Sequence, residues 1–408
     1  MNSTRPGIPA PPTGVVLMDP TCRDDQATTP TRYSQLKYVL FSWTHNPLTK
    51  RDPLANQYFK QSVQMSNFAA SIGGYPLVIY EASLGPDKPI ELFLSSNQCE
   101  TLMDGLVQKM GPTRARQTWK KDAVHHHSKL YDFKTYQFPD QESLEKRFAQ
   151  LKQLNDFFET AGRYTALVRA QEIVGHIEQH PGDRQARYIA IDIETYERDH
   201  DLVTEVGVAK STWRNGSFET MQTEHFVVAE NKQYRNGKFC PDARDHFHFG
   251  TSRTLSSQAI VDFLTAEMLA PAGPVFLLLH DVRSDLKSLT LLGLALAAFV
   301  RTSPLPPPAD ETSYLDQEAR GRFILDTQTL YSGYNRLKKQ ARLGDCLKQF
   351  DISLRDEKNT LDGLGGYSST TTKTGKSDDD ELKLHNSGND AWGTLMLFWK
   401  LVELRRTR

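Results

Sequence analysis

Apolar residues in the C-terminal half form short runs that alternate with stretches of helical spacing. Tyr188–Ile193, Val203–Ala209 and Phe226–Ala229 are strand candidates, and Asn215 and Gly216 supply turn residues between the last two. Consecutive strands joined by short turns predict a three-stranded meander.

The rest of this half alternates helices with strands. Ser252–Leu269 and Ser284–Val300 have helical spacing, whereas Val275–Leu279 and Phe323–Leu325 are compact apolar runs typical of strands. This alternation predicts an α/β fold, with a mixed central sheet flanked by helices.

The N-terminal half has a different pattern. The apolar segments Tyr75–Tyr80 and Ile90–Leu94 flank a turn at Gly85–Lys88, which predicts a hairpin. Ser143–Gln179 has apolar residues three or four apart, which predicts one long amphipathic helix or two shorter ones bridging the halves. We therefore expect a smaller α+β or helical domain before the α/β domain.

Changes in composition divide the chain into three predicted regions. Residues 1–32 are rich in Pro, Thr and Asp without periodicity, which is typical of a disordered tail. A mixed α/β and helical region of unknown role follows at 33–180, and the α/β domain occupies 185–404. Two polar inserts in that domain, 302–321 and 364–382, are predicted to be mobile loops.

The composition narrows the class of protein. The 408 residues are 38% hydrophobic with a formal net charge of −1, so a polyanion must be held by local patches or metal ions. No apolar run reaches the roughly 20 residues of a membrane span, and the N-terminus has no secretory pattern. The 4 cysteines have no CxxC spacing, which favours reduced thiols in an intracellular protein, cytoplasmic or nuclear.

Asp192 and Glu194 are the first candidates for chemistry. They lie two apart at the end of an apolar strand, so both carboxylates project from one face. We expect burial of the strand flanked by Ile189, Ile191 and Ile193, and charges at its edge are costly unless they are paired or bind a metal ion. An Asp-x-Glu pair also occurs by chance, so this motif alone does not decide between a site and a solvated strand end.

Asp285 is the second candidate, at the predicted start of a helix after the Val275–Leu279 strand. Its carboxylate either points back at Asp192 and Glu194 or serves the helix dipole. Asp281 competes with it for the same role.

His385 and Asp390 are the third candidates, five residues apart at the start of a strongly apolar helix. A neutral imidazole can take a proton from water while the carboxylate holds a metal ion. Taken singly, each residue also fits an ordinary surface position.

Together, the order Asp-x-Glu, Asp, His-x4-Asp resembles the DEDD exonucleases of the histidine subgroup, which have an RNase H-like fold. Glu205-Val206-Gly207 is similar to the E-I-G step of this family, and Asp281 stands where the family usually has Asn. A closer resemblance is to the fungal Gfd-like branch, and covers about 185–404. Four segments carry it: 225–230, 235–237, 247–250 and 385–392.

The resemblance implies two-metal hydrolysis of phosphodiester bonds from the 3′ end. Asp192, Glu194, Asp285 and Asp390 would hold two Mg²⁺ or Mn²⁺ ions about 4 Å apart. His385 would take the proton from the attacking water. Thr195 resembles the residue that contacts the terminal nucleotide, although an ordinary strand-end hydroxyl fits equally well.

Basic residues supply candidates for phosphate contact. Arg336, Lys338, Lys339 and Arg342 lie nearer the catalytic motifs in sequence, although an exposed helix face would also explain them. The basic segment Thr113–Lys129 could guide a single strand, but a solvated loop is favoured.

Two other functions stay open at this point. The first is a catalytically silent RNA-binding or adaptor protein linked to mRNA processing or export, which the Gfd-like resemblance suggests. The second is a scaffold whose N-terminal region recruits a protein partner. The retained carboxylates favour the nuclease, since a binding surface has no need of an acidic cluster that repels phosphate. RNA is favoured over DNA as the substrate, and no membrane partner is expected.

Overall fold

The computed structural model describes residues 9–18, 33–36, 39, 52–62, 65–85, 88–113, 130–179, 185–214, 217–219, 221–269, 273–296, 299–301, 321–353 and 382–404. The chain divides into two compact units, Met1–Phe158 and Glu159–Arg408. The basic segment and both polar inserts fall outside the described residues, apart from Thr113, Gly321 and Leu382 at their edges. The turn residues Asn215 and Gly216 also fall outside them.

Unit 1, residues 1–158, is built on an antiparallel sheet with helices. Its strand order is β1-β5-β3-β4-β2. The elements are β1 Val16–Leu17, β2 Tyr33–Gln35, α1 Pro53–Ser62, α2 Met65–Ser71, β3 Leu77–Ser83, β4 Ile90–Ser95, α3 Ser96–Met110, β5 Tyr131–Phe138 and the start of α4 Gln141–Gln179.

Two features of unit 1 bear on the sequence predictions. The β3–β4 hairpin is confirmed, with Tyr80 opposite Phe93. The expectation of a disordered tail over 1–32 is wrong for residues 9–18, because β1 pairs with β5 there. The Pro9 carbonyl also accepts a hydrogen bond of 2.6 Å from Arg147.

Helix α4 is one continuous helix, which is the first of the two predicted alternatives, one long helix or two shorter ones. Its first part packs Leu144 and Leu151 into the core of unit 1. Its last part packs Ala170 and Val174 into the core of unit 2. The division between the units therefore falls inside this helix.

Unit 2, residues 159–408, holds a mixed sheet of strand order β10-β9-β7-β6-β11-β13-β12, with β8 paired to β7. Strands β9, β7 and β6 are antiparallel neighbours, whereas β6, β11, β13 and β12 run parallel. The elements are β6 Ala186–Tyr196, β7 Asp199–Arg214, β8 Ser217–Phe218, β9 Gln222–Val228, β10 Arg253–Leu255, α5 Ser257–Leu269, β11 Val275–Leu279, α6 Val282–Leu292, β12 Val300–Arg301, β13 Arg322–Asp326, α7 Thr327–Tyr334, α8 Leu343–Gln349 and α9 Ser387–Glu403.

Alternating side chains of β6 face two separate cores. Tyr188 and Ala190 pack in one core with α9, α7 and α8, and Ile189 and Ile191 pack in the other with α5 and α6. A sheet buried on both faces needs apolar residues at consecutive positions, which is the pattern of β6 and β11. The predicted α/β class, an RNase H-like mixed sheet flanked by helices, is confirmed, as is the three-stranded meander.

Helix bounds differ from the predictions at two places. Residues 253–255, predicted as helix, form β10 beside β9. Helix α6 ends at Leu292 rather than at Val300, because Gly293 adopts a left-handed φ of 97° and caps it. Among the described residues, no helix combines the length and apolarity needed to cross a bilayer.

Candidate metal centre

Strand β6 presents Asp192 and Glu194 near its C-terminal end. The two side chains lie on one face of the strand, as alternation requires. They are opposite Gly207 and Glu205 on β7, and both are half-buried. The strand pairing therefore holds both carboxylates at fixed positions on the sheet.

Helix α9 brings Asp390 to the same place. Asn386 caps the helix, with its side chain accepting 3.1 Å from the Asn389 N–H. The helix start lies against Gly207, where an added Cβ would be 1.8 Å from the Ser387 carbonyl oxygen. Glycine at 207 therefore permits the close approach that positions Asp390.

Three of the predicted acids form a compact group. Ligand oxygens of Asp192, Glu194 and Asp390 lie within 4.8 Å of one another. Oδ2 of Asp390 accepts 2.9 Å from the His385 N–H, while its Oδ1 is buried with no hydrogen-bond partner among the described residues. A carboxylate oxygen in that state calls for a proton or a cation.

Asp285 and Asp281 occupy different environments. Asp285 is buried in the first turn of α6, and its Oδ2 also has no hydrogen-bond partner among the described residues. Asp281 is exposed and caps α6, at 3.5 Å from the Ser284 N–H. Asp285 is outside the compact group of three, but its charge acts on Asp192 and Glu194. The structure thus supports Asp285 over Asp281 as the fourth acid.

Burial and neighbouring carboxylates raise the pKa values of all four acids. Burial is the largest cause in each case, and it raises the pKa of Glu194 to about 8 and that of Asp390 to about 7. The pKa values of Asp192 and Asp285 are well above the ordinary range, through burial and then neighbouring carboxylates. Near neutral pH, the group needs protons or cations to offset its charge. An all-carboxylate donor set fits hard ions such as Mg²⁺ and Mn²⁺.

His385 lies at the exposed edge of this group. Its Nδ1 is 3.9 Å from Glu194 Oε1, and half of its side-chain surface is open to solvent. Its φ of 65° turns the backbone so that the N–H faces Asp390. The imidazole is therefore beside the acids and accessible to water.

The predicted substrate contacts are separate from the acidic group, by which we mean Asp192, Glu194, Asp285 and Asp390. The Thr195 hydroxyl is 3.3 Å from His200 Nδ1. Arg336, Lys338 and Lys339 are exposed in the segment between α7 and α8, rather than on a helix face. Among the described residues, neither Arg336 nor Lys339 pairs with any of the four acids.

Ala341 fixes the end of that basic segment. Its carbonyl accepts 3.2 Å from His280 Nε2 and 3.0 Å from Gln328 Nε2. Burial lowers the pKa of His280 to about 4, so this imidazole is neutral and structural. The basic segment is thereby tied to the residue before Asp281.

A second layer of residues was not predicted from the sequence as part of the site. Glu205 is buried and accepts 2.9 Å from Arg244 Nε, and its Oε2 is 3.0 Å from His225 Nε2. Nδ1 of His225 lies 2.8 Å from Ser252 Oγ. The one sequence signal was the position of Glu205, two residues before Gly207. Glu205 is thus paired with an arginine, whereas among the described residues none of the four acids pairs with a lysine or an arginine.

The motif around α9 also anchors the chain before β10. The Asn386 side chain donates to the carbonyls of Ala243 and Arg244, at 3.2 and 3.0 Å. Asn389 donates 2.8 Å to the His246 carbonyl. Both asparagines are therefore explained by the positioning of these segments.

Comparison with known proteins supports a DEDDh exonuclease-type domain. Residues 187–360 match the family described as DNA polymerase III subunit epsilon-like, C-terminal domain. This range includes Asp192, Glu194 and Asp285, and ends before His385 and Asp390. The match supports a nuclease fold and metal binding in general.

Three fungal relatives align with part of the chain. The uncharacterized protein YDR514C of Saccharomyces cerevisiae is 27% identical over 230 residues, 52% of this chain and 40% of the relative. The uncharacterized nucleolar protein C2C4.08 of Schizosaccharomyces pombe is 27% identical over 150 residues, 37% of this chain and 50% of the relative. Good for full DBP5 activity protein 2 of Saccharomyces cerevisiae is 26% identical over 237 residues, 54% of this chain and 36% of the relative. The chain thus spans half or less of each relative's length.

Proposed function

We propose that this protein is a metal-dependent 3′-to-5′ exonuclease that hydrolyses single-stranded nucleic acid, with RNA favoured over DNA. The observation that carries the proposal is the group of four acids, in which two buried oxygens have no hydrogen-bond partner among the described residues. Buried carboxylate oxygens in this state need a proton or a cation at neutral pH, and a bound metal ion would supply the charge. The match of residues 187–360 supports phosphodiester hydrolysis as the reaction class.

The four acids would together hold two Mg²⁺ or Mn²⁺ ions. Asp192 and Glu194 offer oxygens from the rigid sheet, and Asp390 and Asp285 offer theirs from α9 and α6. Ions bound there would stabilise the charge on the attacking and leaving oxygens of the phosphodiester. The His385 N–H fixes one oxygen of Asp390 and leaves the other available.

His385 is the proposed general base. Its Nδ1 lies 3.9 Å from Glu194 Oε1 and half of its side chain is open to solvent, so a neutral imidazole there could take a proton from the attacking water. Its open edge allows that proton to leave to solvent. Thr195 would contact the terminal nucleotide, and Arg336, Lys338 and Lys339 the phosphates of the strand.

The names of two relatives support the preference for RNA and a location inside the cell. One relative is called nucleolar and another is named for DBP5 activity. The second name also supports placing this chain in the fungal Gfd-like branch. We extend these links to an intracellular role with RNA, in the nucleus or the cytoplasm.

Labelled substrates test the proposal directly. Single-stranded RNA and DNA, labelled at the 3′ or the 5′ end, are incubated with Mg²⁺ or Mn²⁺ and, separately, with EDTA. We expect stepwise shortening from the 3′ end that requires metal. Asp192→Asn should slow it by at least about a thousandfold, equivalent to about 4 kcal/mol in the barrier, because it removes a ligand charge at constant volume.

The control is Asp281→Asn, an exposed acid close in sequence to the site whose capping role asparagine preserves. It should cleave at the wild-type rate. No shortening of any substrate by the wild-type protein, with binding retained, would overturn the nuclease proposal and support the adaptor function.

A further inference from the structure

A loop of residues 232–245 lies beside the strand end that carries the acids. Asn236 joins this 232–245 loop to β6, since its Nδ2 donates 3.1 Å to the Thr195 carbonyl and its Oδ1 accepts 2.9 Å from the Glu197 N–H. Burial raises the pKa of the Cys240 thiol, and the charge of Glu194 adds to the rise. The loop tip is therefore within electrostatic range of the acidic group.

Glu197 fixes the backbone of the loop tip. Its Oε2 accepts from the N–H of Phe239 at 2.7 Å, of Lys238 at 3.1 Å, and of Gly237 and Cys240 at 3.3 Å. These donors, Phe239 foremost, hold the pKa of Glu197 below its usual value. The ionised carboxylate therefore joins four successive backbone N–H groups of the tip.

Two further contacts fix the base of the loop. Arg244, paired with Glu205, donates 2.8 Å to the Lys232 carbonyl and 2.7 Å to the Tyr234 carbonyl. The tip and the base are both held by charged side chains, so the loop is preorganised.

The fixed tip presents an exposed aromatic ring. Phe239 is 71% exposed, the most exposed of the large hydrophobic side chains in residues 221–269. The Lys238 Nζ lies 5.1 Å from the centroid of this ring. Among the described residues, the Lys238 ammonium has no carboxylate partner within ion-pair distance.

We propose that Phe239 and Lys238 form a stacking site for a base of the single strand that reaches the acidic group. The ring would stack on the base and the ammonium would contact an adjacent phosphate. This inference rests on the proposed function, because that function supplies the strand. Sequence-tolerant binding is expected, since every base has a π face.

The surroundings of the ring favour a base over a protein partner. Lys238 lies beside the ring, and the exposed Arg235 of the same loop pairs with Asp242 and Asp245. Within residues 221–269, the exposed apolar surface here is therefore one ring among charged groups rather than a contiguous patch. Protein interfaces have larger apolar centres with few charges. A single ring beside a cation is instead the arrangement that binds single strands.

Binding measurements on the full chain test this site. Fluorescence anisotropy with a short labelled single-stranded RNA, in Mg²⁺ and on the Asp192→Asn background, gives the Kd without turnover. We expect Phe239→Ala and Phe239→Leu each to weaken binding about tenfold, because both lose the ring. Phe239→Trp should bind within about twofold of the parent, and Lys238→Gln should weaken binding and reduce its dependence on salt.

The matched pair of leucine and tryptophan separates stacking from a simple apolar contact. Parent-like binding by Phe239→Ala or Phe239→Leu overturns the site, as does a parent protein that binds no single strand. Unchanged melting temperatures verify that the variants are folded. Cleavage by wild type is measured separately, so a ring-dependent Kd without cleavage would uphold this site and refute the nuclease.

Discussion

The two units bury carboxylates in opposite ways. In unit 1, Glu81 and Arg147 are both buried and joined by two hydrogen bonds of 2.5 and 2.8 Å. In unit 2, Asp285 and Asp390 are buried, and each has one oxygen with no hydrogen-bond partner in the part of the chain that the structure describes. The first arrangement is complete without a ligand, and the second needs protons or cations.

Glu205 shows that unit 2 can also neutralise a buried carboxylate. It lies opposite Glu194 across β6 and β7, yet it is paired with Arg244. The acidic group is therefore a local property of four positions. Glu205 therefore has a paired charge that stabilises the fold, whereas the four acids need a bound proton or cation.

The largest expected effect is the loss of the pair in unit 1. Glu81→Gln leaves the Arg147 guanidinium without its counter-charge and should cost about 3–5 kcal/mol. Hydrogen exchange in the β3 and β5 peptides measures that loss within unit 1. The matched variant Glu194→Gln, with metal chelated at pH 8, should be as stable as wild type or more so, because it removes a repelled charge. Equal destabilisation by both variants would contradict the contrast.

The next largest expected effect is on the cleavage rate, and it tests the choice between Asp285 and Asp281. Asp285→Asn should slow cleavage about a hundredfold, or about 2.7 kcal/mol, because it removes a charge from the acidic group. Asp281→Asn keeps the cap of α6 and should have little effect. Initial rates on the same labelled RNA compare the two variants, and the reverse ranking would move the assignment to Asp281.

Gly207→Ala tests the close approach of α9 to β7. The added Cβ would meet the Ser387 carbonyl at 1.8 Å, so the helix start must shift. We expect a loss of about 1–3 kcal/mol in stability, together with weaker metal binding. Gly74→Ser is the control for replacing a glycine where there is space. Nothing lies within 4 Å of a Cβ at that position, so the loss of stability there comes only from its φ of 84°. Wild-type stability and metal affinity in Gly207→Ala would remove this explanation of the glycine.

The smallest expected effect is the change in the stability of the folded protein with pH. Glu194 and Asp390 have folded pKa values of about 8 and 7, above their ordinary values of 4.5 and 3.8. Proton binding therefore stabilises the folded state, fully below pH about 4, and this stability is lost as pH rises through 7 to 8. In chelator, the melting temperature should fall by several degrees between pH 6 and 9. Excess Mn²⁺ should reverse the fall, and Glu194→Gln should flatten it. A melting temperature that rises with pH in chelator would contradict the assignment.

Local patterns predicted the parts of the site that depend on one element. The apolar run of β6 placed Asp192 and Glu194 on one face, and the apolar pattern of α9 placed Asp390 at a helix start. The choice between Asp281 and Asp285 depends on which side chain is buried, and a sequence pattern does not carry that information. The partner of Glu205 lies 39 residues away along the chain, which no periodicity predicts.

Fold details were missed for related reasons. Strand β1 has two residues, too few for a periodic signal, and forms because β5 offers an edge. The predicted helix ran past Gly293 because the apolar residues after it continued the pattern, although glycine was the signal for a cap.

Calorimetric titration of Mn²⁺ into the metal-free protein at pH 7.5 tests the central claim most directly. We predict binding of two ions per chain, with proton release because the ligands carry raised pKa values. Asp192→Asn should lose at least one ion, and Asp281→Asn should bind as wild type does. If wild type binds no Mn²⁺, or if Asp192→Asn binds it unchanged, the acidic group is not a metal centre.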